Sequence, residues 1–143
     1  MSGEETAFRT EHPILVPPRR MEVLHLSLQG PPLKGVVSSG PGIRFETVGW
    51  YEVLLAVAWD PHDTEGTRFS HTRIPGQEPL HSEAINADVL VQLSGGRQLL
   101  RANTIFGLDH TGEIVLEVWH DSPRPVEVTS GELRVRQLSD EAG

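Results

Sequence analysis

The sequence predicts an all-β protein, an antiparallel β-sandwich of the jelly-roll kind. Two observations carry this prediction. Three blocks between Gly49 and Leu138 alternate apolar with other residues, as strands do when one face of a sheet is buried. About eight to ten such short segments follow one another, with turn-forming residues between them, at the spacing typical of sandwiches.

The first half of the domain is predicted to begin with a strand over residues 22–28, where leucines recur at every second position. A loop over residues 31–42 and a short strand over 43–45 follow. The longest strand spans residues 50–59, with Tyr51, Val53, Leu55, Val57 and Trp59 on one face. Its other face is also partly apolar, so we expect both faces to be covered.

The second half is predicted to contain strands over residues 67–74, 99–108, 113–120, 126–129 and 133–138. Val89, Val91 and Leu93 alternate before Ser94-Gly95-Gly96, a pattern that predicts a hairpin turn. Residues 130–131 read as another turn. A helical piece is possible only over residues 82–88, and it is too short to be stable alone.

Composition limits the function classes. The chain has 143 residues and a formal net charge of -8, which argues against a nucleic-acid partner because such proteins carry clustered basic residues. Cysteine is absent, so thiol chemistry and disulfides are excluded. No apolar stretch approaches the about 20 residues of a membrane span, and no signal peptide is recognisable, so we expect no membrane insertion and a cytoplasmic location. A surface or particle-associated location is the alternative.

Three regions are expected along the chain. Residues 1–20 contain Pro13, Pro17, Pro18, Arg19 and Arg20 and predict a flexible N-terminal lead-in, since proline lacks the amide proton that sheets use. Residues 21–139 form the jelly-roll domain. Residues 140–143 are a C-terminal tail.

Three motifs in a fixed order resemble those of the C1q and tumour-necrosis-factor (TNF) jelly-roll superfamily. They are Gly49-Trp50-Tyr51 at the head of the long strand, Leu108 followed by Gly112-Glu113-Ile114-Val115-Leu116, and Gly131-Glu132-Leu133-Arg134-Val135 in the last strand. The likeness spans residues 23–138, and we expect a bacterial member. Glu113 stands where the family usually has Asp, and the turn before it is one residue longer. We also expect no collagen-like stalk or membrane anchor before the domain, since residues 1–20 contain neither pattern.

The resemblance implies a compact homotrimer whose subunits pack edge to face. The second face of the long strand, with Trp50, Leu54 and Ala56, is more apolar than a solvated face needs to be. We expect Glu52 and Arg101 to join Glu132, Arg134 and Arg136 of the last strand in ion pairs near the subunit boundary, because arginine pairs carboxylates in a planar fork. The alternative is that Arg134 and Arg136 form the solvent face of an edge strand.

Metal and catalytic sites have weaker support. His71, His81 and Glu83 are the candidates for a metal site, although the H-x-H motif of cupin enzymes is absent. Asp60, His62, Asp63 and Glu65 have the composition of a Ca²⁺ site but also of a polar hairpin tip. His120 continues the buried face of its strand and is expected to be a hydrogen-bonded core or rim histidine. No serine-nucleophile or phosphate-binding motif occurs.

The sequence therefore predicts a non-enzymatic, homotrimeric structural or binding module with no catalytic residue and no cofactor. Its expected partners are further copies of itself and an unidentified protein or carbohydrate ligand. The first alternative is a small cupin-like metal enzyme or sugar-binding jelly roll. The second is a decoration component of a phage-like particle, in which the N-terminal segment would serve as a tether.

Overall fold

A computed structural model describes residues 5–47, 49–73, 79–86, 93–102 and 113–140, with the backbone alone described for 79–86, 93–102 and 139–140. These ranges form strands and connections, and no helix long and apolar enough to cross a membrane occurs among them. The strands are β1 (Glu5–Arg9), β2 (Ile14–Val16), β3 (Glu22–Leu24), β4 (Ser27–Gln29), β5 (Val36–Ser39), β6 (Gly42–Phe45), β7 (Gly49–Trp59), β8 (Thr67–Arg73), β9 (Pro79–Asn86), β10 (Leu93–Ala102), β11 (Glu113–His120) and β12 (Val126–Asp140).

The strands form two antiparallel sheets. The first sheet has the order β10-β7-β12-β1-β4, and β2 also pairs with β12. The second sheet has the order β5-β6-β11-β8-β9, and β3 also pairs with β11. The predicted antiparallel β-sandwich is confirmed.

The core lies between the two sheets. Along β7, Tyr51, Val53 and Val57 are fully buried, as the period-two pattern predicts for the inner face of a sheet. The Tyr51 ring packs on Phe45 with ring centroids 4.8 Å apart, and its hydroxyl donates a 2.8 Å hydrogen bond to the Thr47 carbonyl oxygen. The buried aromatic ring therefore has a partner for its only polar atom.

The N-terminal segment differs from the prediction. The expected flexible lead-in contains β1, which pairs along its whole length with β12, and β2, which pairs with the start of the same strand. Phe8 and Val16 are fully buried in the core. The prolines lie after β2 or in the connection before it, so they do not interrupt these pairings.

The segment 22–28, predicted as one strand, is divided between the sheets. β3 pairs with β11 in the second sheet, whereas β4 pairs with β1 in the first. At the crossing, the Leu26 N–H donates to the Pro41 carbonyl oxygen at 2.9 Å. Leu24 and Leu26 are both buried. The leucines at every second position therefore indicate burial before and after the chain crosses between the sheets, and not one continuous strand.

Four further expectations are wrong. The region 82–88, read as a possible helix, lies largely in β9, and part of the predicted loop 31–42 forms β5. The predicted hairpin turn at residues 94–96 lies inside β10, which pairs with β7 there. The predicted turn at residues 130–131 lies inside β12, where a register shift between Val128 and Ser130 absorbs one extra residue.

Candidate assembly interface

The outer face of the first sheet carries the residues that the sequence assigns to subunit contact. On β7, Trp50 is 39% exposed and Leu54 is 38% exposed, and Ala56 beside them is half-buried. Cross-strand register pairs Leu54 with Arg134 and Ala56 with Glu132 on β12. We call the set formed by Trp50, Glu52, Leu54, Ala56, Glu132, Arg134, Arg136, Glu5, Ala7 and Arg9 the outer face.

Three arginines on the outer face pair with carboxylates of the same chain. Arg136 Nη2 lies 3.0 Å from Glu52 Oε1, so the structure joins these two predicted residues within one chain. Arg9 donates through Nη2 and Nε to Glu132 Oε2 at 2.7 and 3.2 Å. Arg134 has looser contacts, 3.7 Å from Nε to Glu132 and 3.9 Å from Nη1 to Glu5.

The charges of the outer face balance. Glu5, Glu52 and Glu132 offset Arg9, Arg134 and Arg136, whereas the whole chain has a formal charge of -8. A second copy packing against this face would therefore meet no net negative charge there, unlike on the rest of the acidic chain. The exposed Trp50 and Leu54 side chains supply the apolar area that an interface core requires.

The alternative that Arg134 and Arg136 lie on an edge strand is wrong, although both side chains are solvent-exposed. β12 is a central strand, with β7 on one side and β1 and β2 on the other. Its charged residues therefore lie in the middle of the sheet surface. Glu5 and Arg9 were missed because the lead-in was expected to lie outside the domain. The alternation of Thr6 and Phe8 with Ala7 and Arg9 was the signal that could have placed them.

Arg101 lies on β10, where its backbone pairs with Trp50. Its side chain is outside the described part of the structure, so its ion pair stays a prediction.

The candidate metal residues are placed by backbone register. His71 on β8 pairs with Ser82, whereas His81 pairs with Thr72 and Glu83 pairs with Ser70. No two of the three candidates form a cross-strand pair. Burial is the largest influence on the His71 imidazole and lowers its pKa, which the nearby Glu117 carboxylate partly opposes. The side chains of His81 and Glu83 lie outside the described part, so this metal site stays a prediction.

The acidic turn between β7 and β8 is held by cationic and hydrogen-bonding side chains. Asp60 Oδ1 lies 2.8 Å from His62 Nδ1, and Asp63 Oδ1 accepts from the buried Arg68 at 3.0 Å. Arg124 lies against both Asp63 and Glu65. Among the residues whose side chains are described, no cluster of three or more metal-ligating groups occurs.

His120 is fully buried, and both of its ring nitrogens are bonded, as expected for a core histidine. Nε2 lies 2.7 Å from the Val16 carbonyl oxygen, and Nδ1 accepts the Ser122 backbone N–H at 3.1 Å. These partners assign the proton of the neutral ring to Nε2. The His120 side chain thereby hydrogen-bonds the end of β2 to the end of β11.

No protein-family model matches the chain, and no curated protein matches it. Solved structures are similar. PRD1 vertex protein P5 is 13% identical, has a TM-score of 0.72, and the match covers 94% of this chain and 73% of that one. The Eiger TNF of S. frugiperda is 12% identical, with a TM-score of 0.63 and coverage of 97% and 94%.

Murine APRIL is 12% identical, with a TM-score of 0.58, and the match covers 94% of this chain and all of APRIL. At these identities the likeness establishes the fold. The chain has the TNF-like jelly-roll fold, in agreement with the resemblance of its three sequence motifs.

Proposed function

We propose that this protein is a non-enzymatic structural or binding module that assembles into a homotrimer through the outer face. One observation carries the proposal. The half-exposed Trp50 and Leu54 lie among equal numbers of glutamates and arginines, on a chain that is acidic as a whole. The TNF-like fold supports it, since the sequence resemblance implies a trimer of this kind.

In an edge-to-face trimer, the outer face of the first sheet would receive the edge of the neighbouring subunit. The outer face extends over the adjacent strands β7, β12 and β1, so it offers a continuous surface. Specific interfaces need about 800 Å² on each partner, with an apolar centre and a polar rim. Trp50 and Leu54 would form the centre, and the ion pairs of Arg9, Arg134 and Arg136 would form the rim.

The test is the effect of Leu54→Glu on sedimentation. We expect the wild-type protein to sediment with three times the 15.8 kDa mass of the chain. Leu54→Glu removes apolar area from the centre of the proposed contact and adds a carboxylate that the contact would have to desolvate, so it should raise the dissociation constant at least about tenfold.

Met21→Glu is the matched control. Met21 is also 38% exposed, the substitution changes the charge equally, and Met21 precedes β3 of the second sheet. A wild-type monomer at micromolar concentration would contradict the trimer. Equal dissociation by both variants would contradict the location of the contact.

A role in a phage-like particle is the second candidate. It is favoured by the similarity to PRD1 vertex protein P5, whose TM-score exceeds those of Eiger TNF and APRIL. Particle association would then define the location of the protein, in place of a cytoplasmic one. Genes that neighbour the one encoding this chain test this candidate: particle genes would support it.

A further inference from the structure

The connection between β2 and β3 contains two arginines that lack an ion pair. Among the arginines with described side chains, Arg19 and Arg20 are exposed and have no carboxylate within 4 Å. The others all pair with a carboxylate: Arg9, Arg44, Arg68, Arg73, Arg124, Arg134 and Arg136. On an acidic chain, two adjacent unpaired cations form a distinct positive feature. We call residues 17–21 the basic turn.

The backbone of the basic turn is held in a strained conformation. Arg19 has φ = 54°, in the left-handed region that glycine or asparagine usually occupies. Its N–H donates to the His120 carbonyl oxygen at 2.8 Å, while the His120 ring bonds the Val16 carbonyl oxygen. Strain of this kind persists where the surroundings fix it and is concentrated at functional sites.

Hydrogen bonds at Val16, before the turn, and at Arg19, within it, hold the turn backbone in place before any ligand arrives. Val16 and His120 are fully buried, so the two hydrogen bonds connect the turn to residues of the protein core. A ligand that binds this turn avoids the entropic cost of ordering its backbone, and only the two arginine side chains remain to be ordered.

Exposed apolar residues precede and follow the two arginines in the sequence. Leu15 is 62% exposed and Met21 is 38% exposed. A partner must therefore offer carboxylates to the guanidinium forks and apolar groups to Leu15 and Met21. An acidic peptide offers both. A nucleic-acid backbone offers no apolar side chains and binds to broader basic surfaces than one dipeptide supplies.

We propose that the basic turn is a preformed docking site for an acidic segment of a partner protein, in which apolar residues alternate with carboxylates. Arg19 and Arg20 each pair with a carboxylate, and Leu15 and Met21 cover the apolar side chains between them. This site lies outside the outer face and goes beyond the proposed self-assembly.

Fluorescence anisotropy with a labelled peptide of sequence Glu-Glu-Leu-Glu-Glu-Leu tests the proposal. The full-length protein should bind this peptide but not its counterpart with glutamine for glutamate. Arg20→Gln should weaken binding roughly tenfold, as expected for one lost charge-assisted pair. Lys34→Gln removes the same charge from an exposed cation outside the turn and should leave binding unchanged.

Arg19→Gly separates function from stability. Glycine relieves the positive φ, so this variant should unfold at a higher temperature while binding the peptide roughly tenfold more weakly. A purely structural residue would not lose binding as stability rises. The proposal is overturned if wild-type protein does not bind the acidic peptide or if both arginine variants bind it like the wild type. Equal affinity for oligothymidylate would also overturn it.

Discussion

Removal of the Asp63 carboxylate should destabilise the protein strongly, because it is the counter-charge of a buried arginine. Arg68 is fully buried, with Nη2 bonded to Asp63 Oδ1 at 3.0 Å and to the Asp63 carbonyl oxygen at 2.9 Å. Its Nη1 donates to the Glu65 carbonyl oxygen, and its guanidinium carbon lies 5.7 Å from the centre of the Trp59 ring. Asp63→Ala leaves the backbone acceptors but removes the counter-charge.

We expect Asp63→Ala to lower the free energy of unfolding by about 3–5 kcal/mol, the cost of breaking a buried ion pair from one side. Ser122 adds to this cost, since its hydroxyl donates to Asp63 Oδ2 at 2.8 Å and would lose its acceptor. Urea unfolding followed by tryptophan fluorescence measures the change.

The double variant Asp63→Ala/Arg68→Met provides the decisive comparison. It removes both charges and keeps an apolar side chain at position 68, so it should be more stable than Asp63→Ala alone. A cost below about 1 kcal/mol for Asp63→Ala, or a double variant whose cost equals the sum of the two single costs, would refute the reasoning.

Two further predictions concern the same end of the sandwich. Burial alone would raise the pKa of Asp63, but hydrogen bonds from the Glu65 N–H, Arg68 and Ser122 outweigh it and hold that pKa below the ordinary 3.8. The stabilisation is therefore complete above the unfolded-state pKa and is lost as the pH falls through the folded-state pKa, below about pH 4; urea unfolding against pH should show this loss, and Asp63→Asn should flatten it. Gly66→Ala should cost about 1–3 kcal/mol, because Gly66 has φ = 85° and an added Cβ would lie 2.2 Å from Asp121 Oδ1. Gly40→Ala is the control, with φ = 59° and no atom within 4 Å of the added Cβ; equal costs would show that the Asp121 contact is irrelevant.

Only some residues of the candidate interface could be predicted from the sequence. The alternation over residues 50–59 identified Trp50 and Leu54, because a second apolar face on a long strand is visible in the local pattern. Glu5 and Arg9 were not identified, since they reach the outer face through pairing between β1 and β12, which are more than a hundred residues apart in the chain.

The basic turn was likewise predictable from the sequence only in part. The sequence displays two prolines and two arginines, which are equally compatible with a mobile segment. Its backbone is held by hydrogen bonds with His120, a residue about a hundred positions later in the sequence.

The sequence by itself determined the fold class and the inner face of β7, because period-two burial is a local property of the chain. Only the tertiary structure decided that residues 22–28 cross between sheets, that β12 is central and continuous, and that Arg68 pairs with Asp63 inside the protein. The physical reason is that strand order and buried pairing depend on long-range hydrogen bonds and packing. A local alternation of residue types does not specify which distant segment will supply them.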